Sequence, residues 1–398
     1  MTRDLRTARN GAILTFVLGG LMCGSMTVRL PALSDKLGLS ETSVGISLLA
    51  WGLGALVTMQ SMRSVMRRFG SRSILRVAAP LCAVTLAMLA FAPSFPLLLV
   101  ASALFGLAFG ALDIAMNAQG AAVERAHGRP LMNGMHAGWC AGAISAGLLG
   151  TAAIAAGLSF TAHLTLVALV SLPAAATLSR TYLPDPAPEP ADAGAGTRRR
   201  MPPVVYLLGA IAFCAFMVEG TVADWNGLYL RDALGASEAV AALGYPVFEA
   251  GMLLGRLAGD RLRARFGARR MITGSGLATT ATFAVVVTAS SAAVAVPAML
   301  LVGLSVATIS PIAFSLAGET TANPGPAIAQ TGALGYAGLL LGPVVIGFVS
   351  DLASIRTALG IAVLLGVLIA VTGRLLPRSG TAPAAPAEAA GRVLTPAA

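Results

Sequence analysis

Leu37-Gly38-Leu39-Ser40-Glu41 returns as Leu234-Gly235-Ala236-Ser237-Glu238, and Arg68-Phe69-Gly70 returns as Arg265-Phe266-Gly267, each 197 residues downstream without a gap. The same offset carries Gly54 onto Gly251, Arg72 onto Arg269, Leu104 onto Leu301, Gly106 onto Gly303, Gly138 onto Gly335 and Gly150 onto Gly347. The chain is therefore two similar halves, and whatever one half builds the other builds again.

Both halves are strongly apolar. The 398 residues are 56% hydrophobic and 11% charged, with a mean hydropathy of +0.81, where a soluble chain carries about 25% charged residues. Twelve apolar stretches lie near 10–33, 43–62, 74–92, 96–119, 132–157, 160–180, 203–230, 238–260, 271–289, 292–317, 326–350 and 355–376. Each is long enough to cross roughly 30 Å of hydrocarbon. Pro31, Pro173, Pro246, Pro297, Pro311 and Pro343 fall inside or at the ends of these stretches, which membrane helices tolerate where neighbours satisfy the freed carbonyls. Nothing alternates with period two over ten-residue segments, so a membrane β-barrel is excluded. The expected fold is all-α and integral to the membrane, with twelve helices in two six-helix bundles. The first bundle covers 1–180, a cytoplasmic linker rich in Pro, Ala, Asp and Arg covers 181–202, the second bundle covers 203–376, and an Ala/Pro-rich disordered cytoplasmic tail covers 377–398. A parallel repeat of hydrophobic helices is the pattern of transporters built from two related bundles around a central path.

The net charge of +10 reports topology. With both termini on the cytoplasmic side of a bacterial inner membrane, all 27 Lys and Arg residues except Arg29, Lys36, Arg231 and Arg356 fall on inner segments. Such a bias orients a multi-pass protein, and the arginines meet anionic lipid heads. No nucleic-acid partner is expected. The first apolar span follows three arginines but is too long for a signal peptide and lacks a small-residue cleavage site, so it reads as a retained helix. Cys23, Cys82, Cys140 and Cys214 all fall in helices without metal-like spacing and read as buried small apolar residues.

Two six-helix halves with an Arg-rich loop at equivalent places resemble the major facilitator superfamily over about residues 10–376. The most specific element is Gly255-Arg256-Leu257-Ala258-Gly259-Asp260-Arg261 followed by Arg265-Phe266-Gly267-Ala268-Arg269-Arg270. It is similar to the superfamily's signature between helices 2 and 3, here found between helices 8 and 9. The resemblance implies a cytoplasmic gate made by Arg68, Arg72, Gly255, Arg256, Gly259, Asp260, Arg261, Arg265, Gly267 and Arg269. Small residues there allow close helix approach, and the acid and arginines pair with helix ends, carboxylates or lipid phosphates. The first half departs from the pattern, because the offset places Arg63 where Asp260 stands and Thr58 where Gly255 stands. The stronger latch is therefore expected in the second half. Arg29-Leu30-Pro31, the Asp113–Gln119 stretch, His136-Ala137-Gly138-Trp139, Glu219-Gly220-Thr221 and Ala223-Asp224-Trp225 resemble a bacterial branch related to rhizopine-catabolism membrane proteins. Fucose-permease-type sugar/proton symporters are more distant relatives.

Ionisable groups inside hydrocarbon are costly and mark function by default. Asp113, Glu219 and Glu249 are the expected proton-coupling groups, since a desolvated carboxyl can load and release protons near neutrality. Gly106, Gly110, Asp113 and Asn117 share one helical face, whose glycines admit either a neighbouring helix or a ligand. Asn117, His136, Trp139, Asp224, Trp225, Asn226 and Tyr336 are the expected substrate contacts. Asp224 has a competing reading as a gate partner of Arg29 or Arg231. Glu249 has no cation evident in the sequence. Trp139 and Tyr336 are equivalent under the repeat, as central aromatics flanking a ligand would be, whereas Trp51 reads as core or interface belt, a reading that also competes for Trp225. Glu124 and Glu319 are expected to pair with the inner arginines, and His163 to be structural.

The sequence holds no Walker A loop, nucleotide domain or metal cluster, so no cofactor is expected and energy comes from a gradient. An enzyme would need a nucleophile and base near one surface, and none stands out. The expected function is secondary active, proton-coupled transport of a small sugar- or polyol-like solute by alternating access, in a monomer. Export of drugs or toxic metabolites by proton antiport is the alternative, and a non-transporting membrane sensor a further one.

Overall fold

The computed structural model describes residues 3–128, 131–184, 201–320 and 324–377. The first half folds as α1 (Arg3–Val28), α2 (Leu30–Leu37), α3 (Glu41–Phe91), α4 (Phe95–His127), α5 (Met132–Ala155) and α6 (Phe160–Leu178). The second half folds as α7 (Pro203–Leu228), a π turn (Tyr229–Ala233), α8 (Glu238–Ala241), α9 (Gly244–Phe266), α10 (Ala268–Thr288), α11 (Ala292–Val306), α12 (Ile309–Glu319), α13 (Pro324–Leu352) and α14 (Ile355–Leu375). These helices make 12 spans long and apolar enough to cross a membrane. The long α3 supplies two of them, while α8 with α9, and α11 with α12, supply one each. Val77, Phe91, Leu169, Val170, Leu257, Leu364 and Val371 are exposed on the outside, an apolar girdle that suits lipid rather than water.

The repeated sequence builds repeated backbone. Ser40 and Ser237 each cap a helix, accepting from Ser43 N–H at 3.2 Å and Val240 N–H at 3.4 Å. Gly70 and Gly267 take the positive φ values of 72° and 78° that end one span and turn the chain into the next. Arg68 lies over Phe69 and Arg265 over Phe266, both at 5.3 Å from the ring. Close packing repeats as well. A Cβ on Gly106 would stand 2.0 Å from Trp51 O, and one on the equivalent Gly303 would stand 2.1 Å from Phe248 O, itself equivalent to Trp51. Reciprocally, Gly54 faces Ala103 O and Gly251 faces Leu300 O. The pairs α3–α4 and α9–α11 therefore dock backbone to backbone in the same register, which only glycine permits. The face of Gly106 and Gly110 is taken by α3, not by a ligand.

Within each half α1 packs on α5 and α7 on α13, while α3 packs on α6 and α10 on α14. The halves meet along α3–α13 and α5–α9. We call the end carrying Arg3, Gly70 and Phe266 the basic end, and the other the opposite end.

Several expected boundaries move. The first span ends at Val28, and α2 starts after Arg29 with Pro31 in its first turn, where a missing N–H costs nothing. The tenth span breaks between α11 and α12 at Ala307-Thr308, because Pro311 cannot donate to the Ala307 carbonyl four residues earlier. The linker expected from 181 begins later: the Tyr182 hydroxyl meets Thr15 Oγ1 at 3.1 Å, and Leu183 N–H donates to Gln119 Oε1 at 2.8 Å. Most of that linker, and the tail beyond 377, lie outside the described residues.

Candidate substrate cavity between the bundles

A cavity of about 340 Å³ lies between the halves, lined by α1, α3, α4 and α5 on one side and by α7, α9 and α13 on the other. Its walls obey the repeat. Cys23 and Gly220, Thr27 and Asp224, Leu48 and Tyr245, Trp51 and Phe248, Gly52 and Glu249, and Trp139 and Tyr336 all line it, and each pair is 197 residues apart. Equivalent faces of the two bundles thus converge on one space.

Aromatic rings form much of the wall. Trp51 stands edge-on to Phe109 with centroids 5.8 Å apart, and Phe109 edge-on to Trp139 at 5.9 Å. Across the cavity Tyr336 leans on Phe216 at 5.6 Å. Trp51, expected in the core or at the membrane interface, is a wall residue instead. Phe109, Tyr245 and Phe248 were not singled out by sequence, although shifting Trp51 by the repeat lands on Phe248.

Three carboxylates, Glu219, Asp224 and Glu249, open onto the cavity. Asp113 is not among the lining residues, and it lies within electrostatic range of Tyr336 of the other bundle. Asn117 does not line the cavity. Its Nδ2 donates to Asp113 O at 2.9 Å and Oδ1 at 3.3 Å, so it steadies Asp113. Glu219 faces Arg256 and Ser310. Glu249 lies against Tyr245, Cys140 and Arg256.

Arg256 is thus the cation that Glu249 seemed to lack. It stands two turns beyond Glu249 on α9, and helical side chains lean toward the N-terminus. Its Nη1 contacts Cys140 Sγ of the other bundle at 3.4 Å. This residue, expected in the basic-end gate, lies within electrostatic range of Glu219 and Glu249 beside the cavity, beyond ion-pair distance.

Other expected contacts stand elsewhere. Trp225 is fully buried with its ring against Gly347, and Asn226 is buried with its amide on the Val222 carbonyl. Neither lines the cavity. His136 is exposed and edge-on to Phe16 at 5.1 Å. Asp224 joins neither Arg29 nor Arg231, as the gate reading required, because those arginines find other acids.

Those acids join the two bundles at the opposite end. Arg29 of the first bundle pairs with Glu238 of the second at 3.6 Å, and Arg231 of the second pairs with Asp35 of the first at 2.7 Å. Asp351 accepts from the N–H groups of Glu41 and Thr42 at 3.2 and 3.0 Å, capping α3 from across the interface. Gly45 and Gly347 let α3 and α13 backbones touch there. At the basic end the ion pair Arg263–Glu319, 2.9 Å long, stays within the second bundle. Arg261 is exposed, Arg72 and Arg269 are half-buried, and Gly255 and Gly259 pack on Ala307 and Thr308 at the α11–α12 break. The side chain of Asp260 lies outside the described residues. Glu124 pairs with no arginine among the described residues. Its Oε2 accepts from Leu131 and Met132 N–H at 2.5 and 2.8 Å, capping α5.

Comparison with known proteins places this architecture. The family model of the Major Facilitator Superfamily matches residues 12–334 and 208–397. The chain is 32% identical to the uncharacterized transporter y4wD of Sinorhizobium fredii, over 94% of this chain and 99% of that protein. It is 28% identical to the membrane protein MosC of Rhizobium meliloti, over 89% and 86% respectively. Among solved structures, a bacterial homologue of the human lysosomal transporter Spinster, inward-facing and unoccupied, superposes with a TM-score of 0.76 at 15% identity, covering 94% of this chain and 97% of that one. FucP in its outward conformation gives 0.65 at 19% identity, covering 94% and 99%.

Proposed function

The chain belongs to the major facilitator superfamily, and we propose that it is a secondary active transporter moving a small polar organic solute across the bacterial inner membrane by proton-coupled alternating access. The observation that carries this reading is the cavity between the bundles, with Glu219, Asp224 and Glu249 opening into an otherwise apolar wall. Carboxylates in so dry a place exchange protons and bind hydroxyl or amine groups, while the aromatic rings stack on the apolar face of a sugar- or polyol-sized ligand. FucP is a fucose:proton symporter, which is in keeping with a hydroxylated cargo. The protein acts as a monomer with both termini cytoplasmic, the basic end being cytoplasmic. The cavity is then sealed from the outside by Arg29–Glu238, Arg231–Asp35 and the Asp351 cap. Transport requires these contacts to break while the basic end closes.

Glu219 is the leading proton carrier, because Arg256 ties its charge state to Glu249 and thereby to the cavity wall. Asp113 is the second, because Tyr336 links it to the other bundle. Trp51, Phe109, Trp139 and Phe248 also favour a second reading, proton-coupled export of an amphiphilic compound.

A thermal-shift screen of sugars, polyols, amino acids and drugs on purified protein identifies a solute, and uptake of that solute into proteoliposomes under an imposed pH gradient tests the coupling. Glu219→Gln and Asp113→Asn are each expected to lower gradient-driven transport, with solute exchange surviving in at least one. Full gradient-driven transport in both single variants overturns the coupling assignment.

A further inference from the structure

The cavity gathers carboxyl groups without a cation among its lining residues. Glu219, Asp224 and Glu249 line it and Asp113 lies within electrostatic range of Tyr336. Against these four carboxyl groups Arg256 is the one guanidinium within electrostatic range among the described residues, and it forms no ion pair within 4.0 Å with Glu219 or Glu249. Glu249 is 7% exposed, yet its Oε2 has no hydrogen-bond partner. A buried acceptor left open in a wall is a place for a donor. Asp224 has no hydrogen-bond or ion-pair partner among the described residues, and both it and Glu249 lie within electrostatic range of the Cys23 thiol on α1. Both acids line the same cavity. Trp51 and Trp139 on one side of the cavity and Phe248 on the other also line it, and aromatic faces attract cations.

We propose that the transported solute carries a protonated amine, whose N–H groups occupy Glu249 Oε2 and Asp224 while its carbon skeleton lies on the aromatic rings. This deepens, and rests on, the reading of the cavity as the transport site. A hydroxyl would satisfy the open acceptor without balancing a carboxylate, a further carboxylate would meet only acids, and a quaternary ammonium would balance a carboxylate without an N–H donor. The cavity thus ranks four chemistries in order: ammonium first, quaternary ammonium next, alcohol third and carboxylate last.

The test uses the full chain in lipid nanodiscs and four probes built on one ring: cyclohexylamine, cyclohexyltrimethylammonium, cyclohexanol and cyclohexanecarboxylate. Calorimetry and thermal shift are expected to give the amine an affinity at least tenfold above the alcohol and the carboxylate, with the quaternary probe between. Glu249→Gln should weaken the amine at least tenfold and Asp224→Asn severalfold, while Glu249→Asp restores part of the loss. Unliganded melting temperatures establish that each variant is folded. Binding of the alcohol or carboxylate as tightly as the amine, binding by none of the four, or amine affinity unchanged in Glu249→Gln overturns the inference. Any of these outcomes leaves gradient-driven uptake of a non-amine solute standing, whereas absence of gradient-driven uptake for every solute fails the transport reading itself.

Discussion

Glu238→Gln is expected to unseal the opposite end of the molecule, and the structure sets the size of the effect. Arg29 is 3% exposed and Glu238 39% exposed, with 3.6 Å between them. Arg29 Nη2 also donates to the Leu158 carbonyl at 3.2 Å, but its Nε and Nη1 have no hydrogen-bond partner. Burial lowers the Arg29 guanidinium from its ordinary range, and Glu238 opposes that shift. Glu238 is therefore what makes burial of the charge tolerable. Removing one partner of a fully buried pair costs about 3–5 kcal/mol. Water at the half-exposed Glu238 reduces this to about 2 kcal/mol, a factor of about 30 in population. The penalty falls on the sealed conformation alone, since opening that end hydrates Arg29. Asp35→Asn provides the contrast. Asp35 is 69% exposed, and Arg231 keeps Asp232 at 2.5 Å and the Pro31 carbonyl at 2.9 Å. Its loss should cost under about 1 kcal/mol, at most about fivefold. The assay uses a variant whose only cysteine is Cys23, a cavity residue, in oriented proteoliposomes with an impermeant maleimide outside the opposite end. Labelling should rise about 30-fold in Glu238→Gln, by at most about fivefold in Asp35→Asn, and return toward the starting rate in Glu238→Asp. Equal labelling in Glu238→Gln and Asp35→Asn would refute the assignment of Arg29–Glu238 as the principal seal.

Two further outcomes follow from the helix packing. Gly303→Ala places a Cβ 2.1 Å from the Phe248 carbonyl and must spread α9 from α11, lowering the melting temperature and distorting the cavity wall at Phe248. Gly274→Ala meets nothing within 4 Å and should be neutral or stabilising by up to about 1 kcal/mol. Similar melting temperatures for the two variants would contradict the close-packing account. Asp351→Ala removes the acceptor for Glu41 and Thr42 N–H, and a lost helix cap is worth about 0.5–2 kcal/mol. Because the cap comes from the other bundle, maleimide labelling of Cys23 from the opposite side should rise with it. Lost melting temperature without increased labelling would confine the cap to a local role.

Periodicity and charge alone specify the architecture. Apolar runs of spanning length, the 197-residue offset and the Arg-rich loops fix twelve helices in two equivalent sets, because a lipid solvent demands closed backbone hydrogen bonding and leaves few alternatives. The equivalence of Trp139 and Tyr336 was legible for the same reason, and both do line the cavity. Applied to Trp51, that offset points to Phe248, so one more wall pair was available in the sequence.

What the sequence could not supply was which face of each helix turns inward, and how far a long side chain reaches. Trp225 and Asn226 neighbour Asp224 in the chain but point away from the cavity, since successive helical residues diverge by about 100°. Arg256 sits in a gate-like motif, yet its length and tilt carry the charge back to Glu219 and Glu249. Arg29 meets Glu238, Arg231 meets Asp35, and Asp351 caps α3 between positions hundreds of residues apart. Those contacts arise only where the two bundles dock, because the sequence repeat specifies each bundle internally and tertiary packing alone sets which residues of one face those of the other.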